Sequence, residues 1–268
     1  KLERASTTSY AVFGQATLHI SDSLSTTVGG RWTHDKKLLD LTLPNGTVVN
    51  ASKSFAEFTP KIDLQFKPSA EVMAYASYSS GFKGGGFNGR AANATAISTA
   101  FEAEKVKAWE AGLKSQLFDN RLRFNIAYFY NVFKDLQLTN FVGTGNATLI
   151  SNAGGAVVQG VEAEATASLT DHLEFTGTLA TMSDRYKNLA PSSQPIRLNS
   201  TDVPSTPALA WSAGLTWDKE FSNFGKITVG SSIAYRADYQ LGGSPVPRLR
   251  VPSVYLVSAN IGWESNDG

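Results

Sequence analysis

The chain has 268 residues, a formal net charge of +1 and 42% apolar residues, values that do not by themselves separate a membrane barrel from a soluble β-protein. With 24 basic against 23 acidic residues no basic tract dominates, which argues against nucleic-acid binding, and the absence of cysteine excludes a disulfide scaffold or a thiolate metal site. No stretch approaches the roughly 20 consecutive apolar residues of a spanning helix.

Taken in chain order, the pattern predicts eleven strands. The first, 10–20, sets Tyr10, Val12, Ala16, Leu18 and Ile20 against Gln15, Thr17 and His19, and 24–33 pairs with it. Strand 55–66 alternates Phe58, Ile62, Leu64 and Phe66 with Glu57, Lys61, Asp63 and Gln65; Pro60 removes a ladder donor there and predicts a bulge. Strand 72–82 is rich in small residues, with ambiguous facing. Strand 106–117 sets Trp109, Ala111, Leu113 and Leu117 against Glu110, Lys114 and Gln116. Strand 121–138 follows, its polar side carrying Arg121, Arg123, Asn125 and Asn131, with Phe129 as the lone apolar exception. Strand 157–169 places Glu162 and Glu164 opposite Val161, Ala163 and Ala165, and 173–181, 208–217, 226–236 and 253–263 complete the set. Period two means strand. A length of about 10 to 12 residues exceeds the usual 5 to 6 of soluble sheets and matches a tilted bilayer crossing.

Short polar turns at 21–23, 67–70, 119–120, 170–172 and 222–225 alternate with long segments at 35–54, 83–104, 139–152, 186–206 and 240–252. Short turns on one side and long loops on the other is the asymmetry of bacterial outer-membrane barrels, the short side being periplasmic. Trp211 with Trp217, and Tyr255 with Trp263, sit toward strand ends as aromatic girdles do. The fold class expected is an all-β, antiparallel transmembrane β-barrel. A soluble kelch-like propeller also repeats near 50 residues, but its blades hold four short strands where these units hold two long ones.

Four blocks carry a family resemblance. The segment from Tyr75 to Asn88 (YASYSSGFKGGGFN), that from Glu104 to Ser115 (EKVKAWEAGLKS), that from Phe129 to Gln137 (FYNVFKDLQ), and Asn152-Ala-Gly followed by Gly160-Val-Glu-Ala-Glu164 resemble, in this order, the C-terminal barrel of TonB-dependent outer-membrane receptors. Ala103 stands where that family commonly has proline. The resemblance implies a barrel of about 22 strands closed around an N-terminal plug, taking up scarce iron chelates with energy passed from TonB. Eleven strands would then be half of such a barrel. Residues 1–268 read as a partial barrel domain, without plug or terminal strands; the start at Lys1 shows no secretory signal, which this reading places upstream.

Candidate sites follow from facing. Glu57, Lys61, Asp63, Glu110, Lys114, Arg123, Glu162 and Glu164 are expected to face the lumen or plug. Lys83, Phe87, Arg90, Arg185, Tyr186, Arg236, Tyr239, Arg248 and Arg250, at outer ends and loops, are the candidates for capture of an anionic iron chelate, since guanidinium and aromatic groups give charge-assisted bonds and stacking. His19, His34 and His172 lack metal-ligand spacing, so neither a metal site nor a cofactor is expected. Gly84–Gly89 lacks the lysine and helix of a phosphate loop. Asn45, Asn93 and Asn146 open glycosylation-like triplets that read as loop polarity. The expected partners are outer-membrane lipid and lipopolysaccharide, the TonB complex through the missing plug, and an iron-chelate ligand; the expected location is the bacterial outer membrane. An outer-membrane porin or enzyme is the remaining alternative to a receptor.

Overall fold

The computed structural model describes residues 2–142, 147–152, 154–188, 203, 205–241 and 250–265. Arg248, Asn146, Ala153 and most of the segments 186–206 and 240–252 lie outside the described residues.

Eleven long strands form one sheet: β1 (Leu2–His19), β2 (Leu24–Thr42), β3 (Val48–Phe66), β4 (Val72–Lys83), β5 (Glu104–Leu117), β6 (Leu122–Lys134), β7 (Gly155–Thr170), β8 (Leu173–Lys187), β9 (Leu209–Phe221), β10 (Gly225–Arg236) and β11 (Val254–Glu264). Each pairs antiparallel with its sequence neighbours, so the sheet is a meander, and blades of a propeller are absent from it. All eleven predicted strands are present.

One face of the meander is apolar and uncovered. Val12 is 71% exposed, Val257 76% and Ile261 78%, levels that a water-soluble sheet face of this size does not sustain but a lipid-facing one requires. Three aromatic groups cross that face at the end of the long connections: Tyr10 with Trp32 and His34, Tyr78 with Trp109 and Tyr130, and Trp211 with Tyr235 and Tyr255, with ring centroids 4.6 to 6.4 Å apart. At the short-turn end, Trp263 donates its indole N–H to the Phe224 carbonyl at 2.8 Å. The two rows bracket the lipid band.

The polar face follows strictly from register. Phe129, the apolar exception, pairs with Gly160 across β6 and β7, and a Cβ at Gly160 would come within 2.8 Å of its ring. The ring therefore lies over a glycine and fills the space a side chain would take, as aromatic residues do beside strand glycines.

Three expectations are corrected. The segment 35–54 is not a long loop: β2 and β3 continue in register to the pair Thr42–Val48 and turn tightly, with Gly46 at φ +83 and Asn45 Oδ1 accepting from the Thr47 amide at 3.1 Å. Leu39, Leu41 and Val49 keep the alternation going and bury against Ile97. Strand 121–138 breaks at Asp135, which takes φ +53, and Gln137–Val142 pairs with Ala147–Asn152 as a separate hairpin.

Pro60 makes no bulge, since the β2–β3 register runs through Gly30–Pro60 without a shift. The missing donor instead falls where β4 leaves β3, because β3 and β4 pair only over 61–66 and 74–79. Above that point ion pairs of Lys53 with Glu102 and Lys105 with Glu57 connect the parted segments.

Candidate functional site

The inner wall is built by alternate residues of seven neighbouring strands. A concavity of about 560 Å³ runs from Tyr75 on β4 to Ala234 on β10, and Tyr75, Glu110, Lys114, Asn125, Glu162 and Glu164 line it. The Tyr75 hydroxyl donates to Glu110 Oε1 at 2.6 Å, and the Lys114 ammonium sits 5.5 Å from the Tyr75 ring centroid. Asn125 donates its amide to Glu164 Oε1 at 2.5 Å, Thr178 and Ser212 hydroxyls bond at 2.7 Å, and Lys61 pairs with Asp63 at 3.1 Å. Glu162 forms no ion pair among the described residues. Three carboxylates against one ammonium leave this wall net negative, and its remaining lone pairs suit cationic or N–H donors brought in from the lumen. All eight residues predicted to face inward, Glu57, Lys61, Asp63, Glu110, Lys114, Arg123, Glu162 and Glu164, share this face by register.

At the outer rim the loops are tied together by a polar knot. Gln137 donates its backbone amide to Glu104 Oε2 at 2.8 Å and its side-chain amide to the carbonyls of Gly84 (3.1 Å) and Glu102 (3.0 Å). Asn152 accepts from the Glu102 amide at 2.7 Å and donates to the carbonyls of Glu102 (3.0 Å) and Asp135 (2.8 Å). Asn88 exchanges two bonds with Ile150, donating at 2.8 Å and accepting at 2.9 Å. Beneath it a short helix, Ala94–Ser98, capped by Asn93 Oδ1, inserts Ile97 among Leu39, Leu41 and Val49. Asn88, Gln137 and Asn152 were legible only as members of motifs; nothing in their spacing marks them as partners.

The rim candidates fall into distinct settings. Phe87 packs on the Leu39–Ile97 cluster and pairs with Ala100, so its ring belongs to the loop interior. Lys83 and Arg90 are exposed at the loop. The Arg236 guanidinium lies 4.8 Å from the Tyr239 ring centroid, Arg250 pairs with Asp238, and among the described residues neither the Arg236 Nε nor the buried Tyr186 hydroxyl has a hydrogen-bond partner. Tyr186 neighbours Asp184, whose carboxylate accepts from Thr206 Oγ1 and, at 2.6 Å, from the Val203 amide. Arg185 differs from the rest: it pairs with Val157, which pairs with Val132, and this places it on the outward face.

Comparison with known proteins agrees with this architecture. The family model of the TonB dependent receptor-like β-barrel matches residues 2–268. The metal-pseudopaline receptor CntO of Pseudomonas aeruginosa is 30% identical over 122 residues, 46% of this chain and 16% of that protein. Among solved structures, the ferric yersiniabactin uptake receptor FyuA of Yersinia pestis superposes with a TM-score of 0.82 at 18% identity over 99% of this chain and 39% of its own. The siderophore receptor PiuA of Acinetobacter baumannii gives 0.76 at 19% identity over 98% and 37%. These likenesses establish the fold, and the chain spans well under half of each of these proteins. An apolar outer face, aromatic rows at both rims, a charged inner wall and a match to the family along nearly its whole length make this chain a member of the TonB-dependent receptor β-barrel family of outer-membrane proteins.

Proposed function

We propose that this chain forms the C-terminal part of the barrel wall of a TonB-dependent receptor that takes up an iron–siderophore complex or a similarly scarce solute. Residues 1–268 supply two of the three working parts: rim loops that capture the solute and an inner wall that holds a plug on which TonB pulls from the periplasm. The observation that carries the reading is the division of one meander into an uncovered apolar face and a polar wall of net negative charge, crowned by loops cross-linked into a single body. A wall with acceptor groups to spare suits an inserted protein domain better than an open water channel, and the named relatives are receptors, which supports binding and transport as its work.

Capture is assigned to cationic and aromatic groups at the rim: Lys83, Arg90, Tyr186, Arg236, Tyr239 and Arg250, with Arg248 added from the sequence. Anionic chelates would meet guanidinium donors and a ring already stacked beneath one of them. CntO, FyuA and PiuA, named as metal or siderophore receptors, support this class of solute.

The test is growth of a deletion strain under iron limitation on a panel of ferric chelates, with and without the full-length gene. Restored growth on one chelate, lost again when TonB is removed, supports the reading. Growth and uptake unaffected by the deletion on every chelate and metal offered would overturn it.

A further inference from the structure

The inner wall changes sign along its length. Toward the short-turn end, below the acidic concavity, a second hollow of about 370 Å³ opens among Lys67, Glu71, Met73, Lys114, Gln116 and Arg123. Register builds it: Met73 pairs with Lys114 and Lys114 with Asn125, and one step nearer the turns Gln116 pairs with Arg123. Lys67 continues the inward parity of Asp63 and Gln65, its backbone amide donating to the Ser23 carbonyl at 2.7 Å, and the Gln116 amide donates to the Glu71 carbonyl at 2.8 Å. Three cations therefore share one hollow with a single carboxylate.

None of the three is neutralised. Lys67, Lys114 and Arg123 hold no ion pair among the described residues, and neither does Glu71. The surrounding carboxylates are otherwise placed: Asp171 pairs with Arg121 at 3.0 Å, Asp63 pairs with Lys61 at 3.1 Å, and Glu164 accepts the Asn125 amide at 2.5 Å. Asp22 and Asp119 lie on the turns, and Glu174 stands two strands from Arg123 and one step nearer the turns. Like charges gathered in one hollow repel, and an intruding carboxylate relieves that repulsion. A guanidinium fork matches a carboxylate with two parallel bonds, which favours that group over a neutral acceptor. The hollow faces the lumen and not lipid, so its occupant comes from within the barrel or through the periplasmic mouth.

We infer that this hollow seats an acidic segment at the periplasmic end of the plug, with Arg123 as the forked donor and Lys67 and Lys114 closing on the same carboxylates. The inference rests on the plug proposed above and adds a sign to it: the insert presents cationic or N–H groups to Glu110 and Glu162, and carboxylates one level below. Two belts of opposite charge fix how deep the insert sits. A slip along the axis would set like charge against like, which costs far more than the loss of a matched pair.

The test couples amines to carboxylates in full-length protein, in isolated outer membranes, with a zero-length carbodiimide, and maps the joined peptides by mass spectrometry. Lys67 or Lys114 should be linked to an Asp or Glu of the plug, with a yield that falls as salt is raised. In the charge-reversed variant Lys67→Glu and Arg123→Glu, amide exchange over the joined plug peptide should quicken about tenfold, the effect of losing one charge-assisted bond, while gel mobility still shifts on heating. If that variant does not fold, coupling in the wild type supplies the reading, since it needs no substitution. Coupling of both lysines to barrel carboxylates alone, coupling to a separate protein, a salt-insensitive yield, or unchanged exchange in the folded variant would each overturn the inference. The plug itself is tested apart from this contact. Absence of a plug upstream removes both proposals, whereas exchange that quickens in the variant Glu110→Gln and Glu162→Gln but not in the charge-reversed one keeps the plug and removes the acidic segment.

Discussion

Asn88 and Ile150, 62 residues apart, exchange a pair of hydrogen bonds in which the Asn88 side chain stands in for one residue of an antiparallel strand pair. Its amide donates to the Ile150 carbonyl and its oxygen accepts the Ile150 N–H, so the hairpin after β6 is joined to the glycine-rich loop after β4. Asn88→Ala should remove both bonds and cost about 1 to 3 kcal/mol locally. Hydrogen exchange in detergent should then quicken over 147–152 and leave the barrel strands protected; unchanged exchange there would mean the join carries no load.

Facing can be tested with a single cation placed on either side of one strand. Leu215 is exposed on the apolar face of β9, and Thr216 beside it points to the inner wall. Leu215→Arg should cost about 2 to 4 kcal/mol and Thr216→Arg about 1 or less, read as urea midpoints of refolding into vesicles.

At Gly160, replacement by valine would drive a side chain into the Phe129 ring and toward the Thr181 carbonyl, 2.0 Å from an ideal Cβ. The overpacking should cost about 1 to 3 kcal/mol and lower the fraction of protein showing heat-modifiable mobility. Adding Phe129→Ala removes the ring but not the carbonyl, so rescue should be partial.

The inner carboxylates bear on the proposed plug contact. In the double variant Glu110→Gln and Glu162→Gln the wall loses two charges and keeps its shape, and Tyr75 retains an oxygen to donate to. Outer-membrane levels should stay normal. Uptake of the cognate chelate should fall about tenfold, the effect of losing one charge-assisted bond. Full uptake at equal expression would remove these residues from the working wall.

The strands were legible because each face meets a different solvent, and a period of two survives in the order of residues whatever the sheet curvature. Glu162, Glu164 and Lys114 could be placed inward on that ground alone. Strand ends were harder to read: β2 and β3 run past Thr33 and begin before Phe55, since Leu39, Leu41 and Val49 alternate toward Ile97, a partner about 50 residues away that no local pattern announces. Asp135 ended a strand through its own positive φ, which composition does not reveal. The knot of Gln137, Asn152 and Glu104 was hidden for the same reason as Ile97, its members being joined only by tertiary contact. Arg185 shows the opposite limit: residue type suggested a ligand contact, and strand parity assigns it to the lipid side.

The parting of β3 from β4 above Lys61 has a mechanical consequence. Below it the wall is sewn by peptide hydrogen bonds, which salt barely touches; above it, two partly exposed ion pairs, Lys53–Glu102 and Lys105–Glu57, span the gap. Such pairs weaken as counterions screen them. The mouth of this wall is therefore held by ionic stitches that salt can loosen, beside an apolar clasp of Val49 on Ile97 that salt leaves in place.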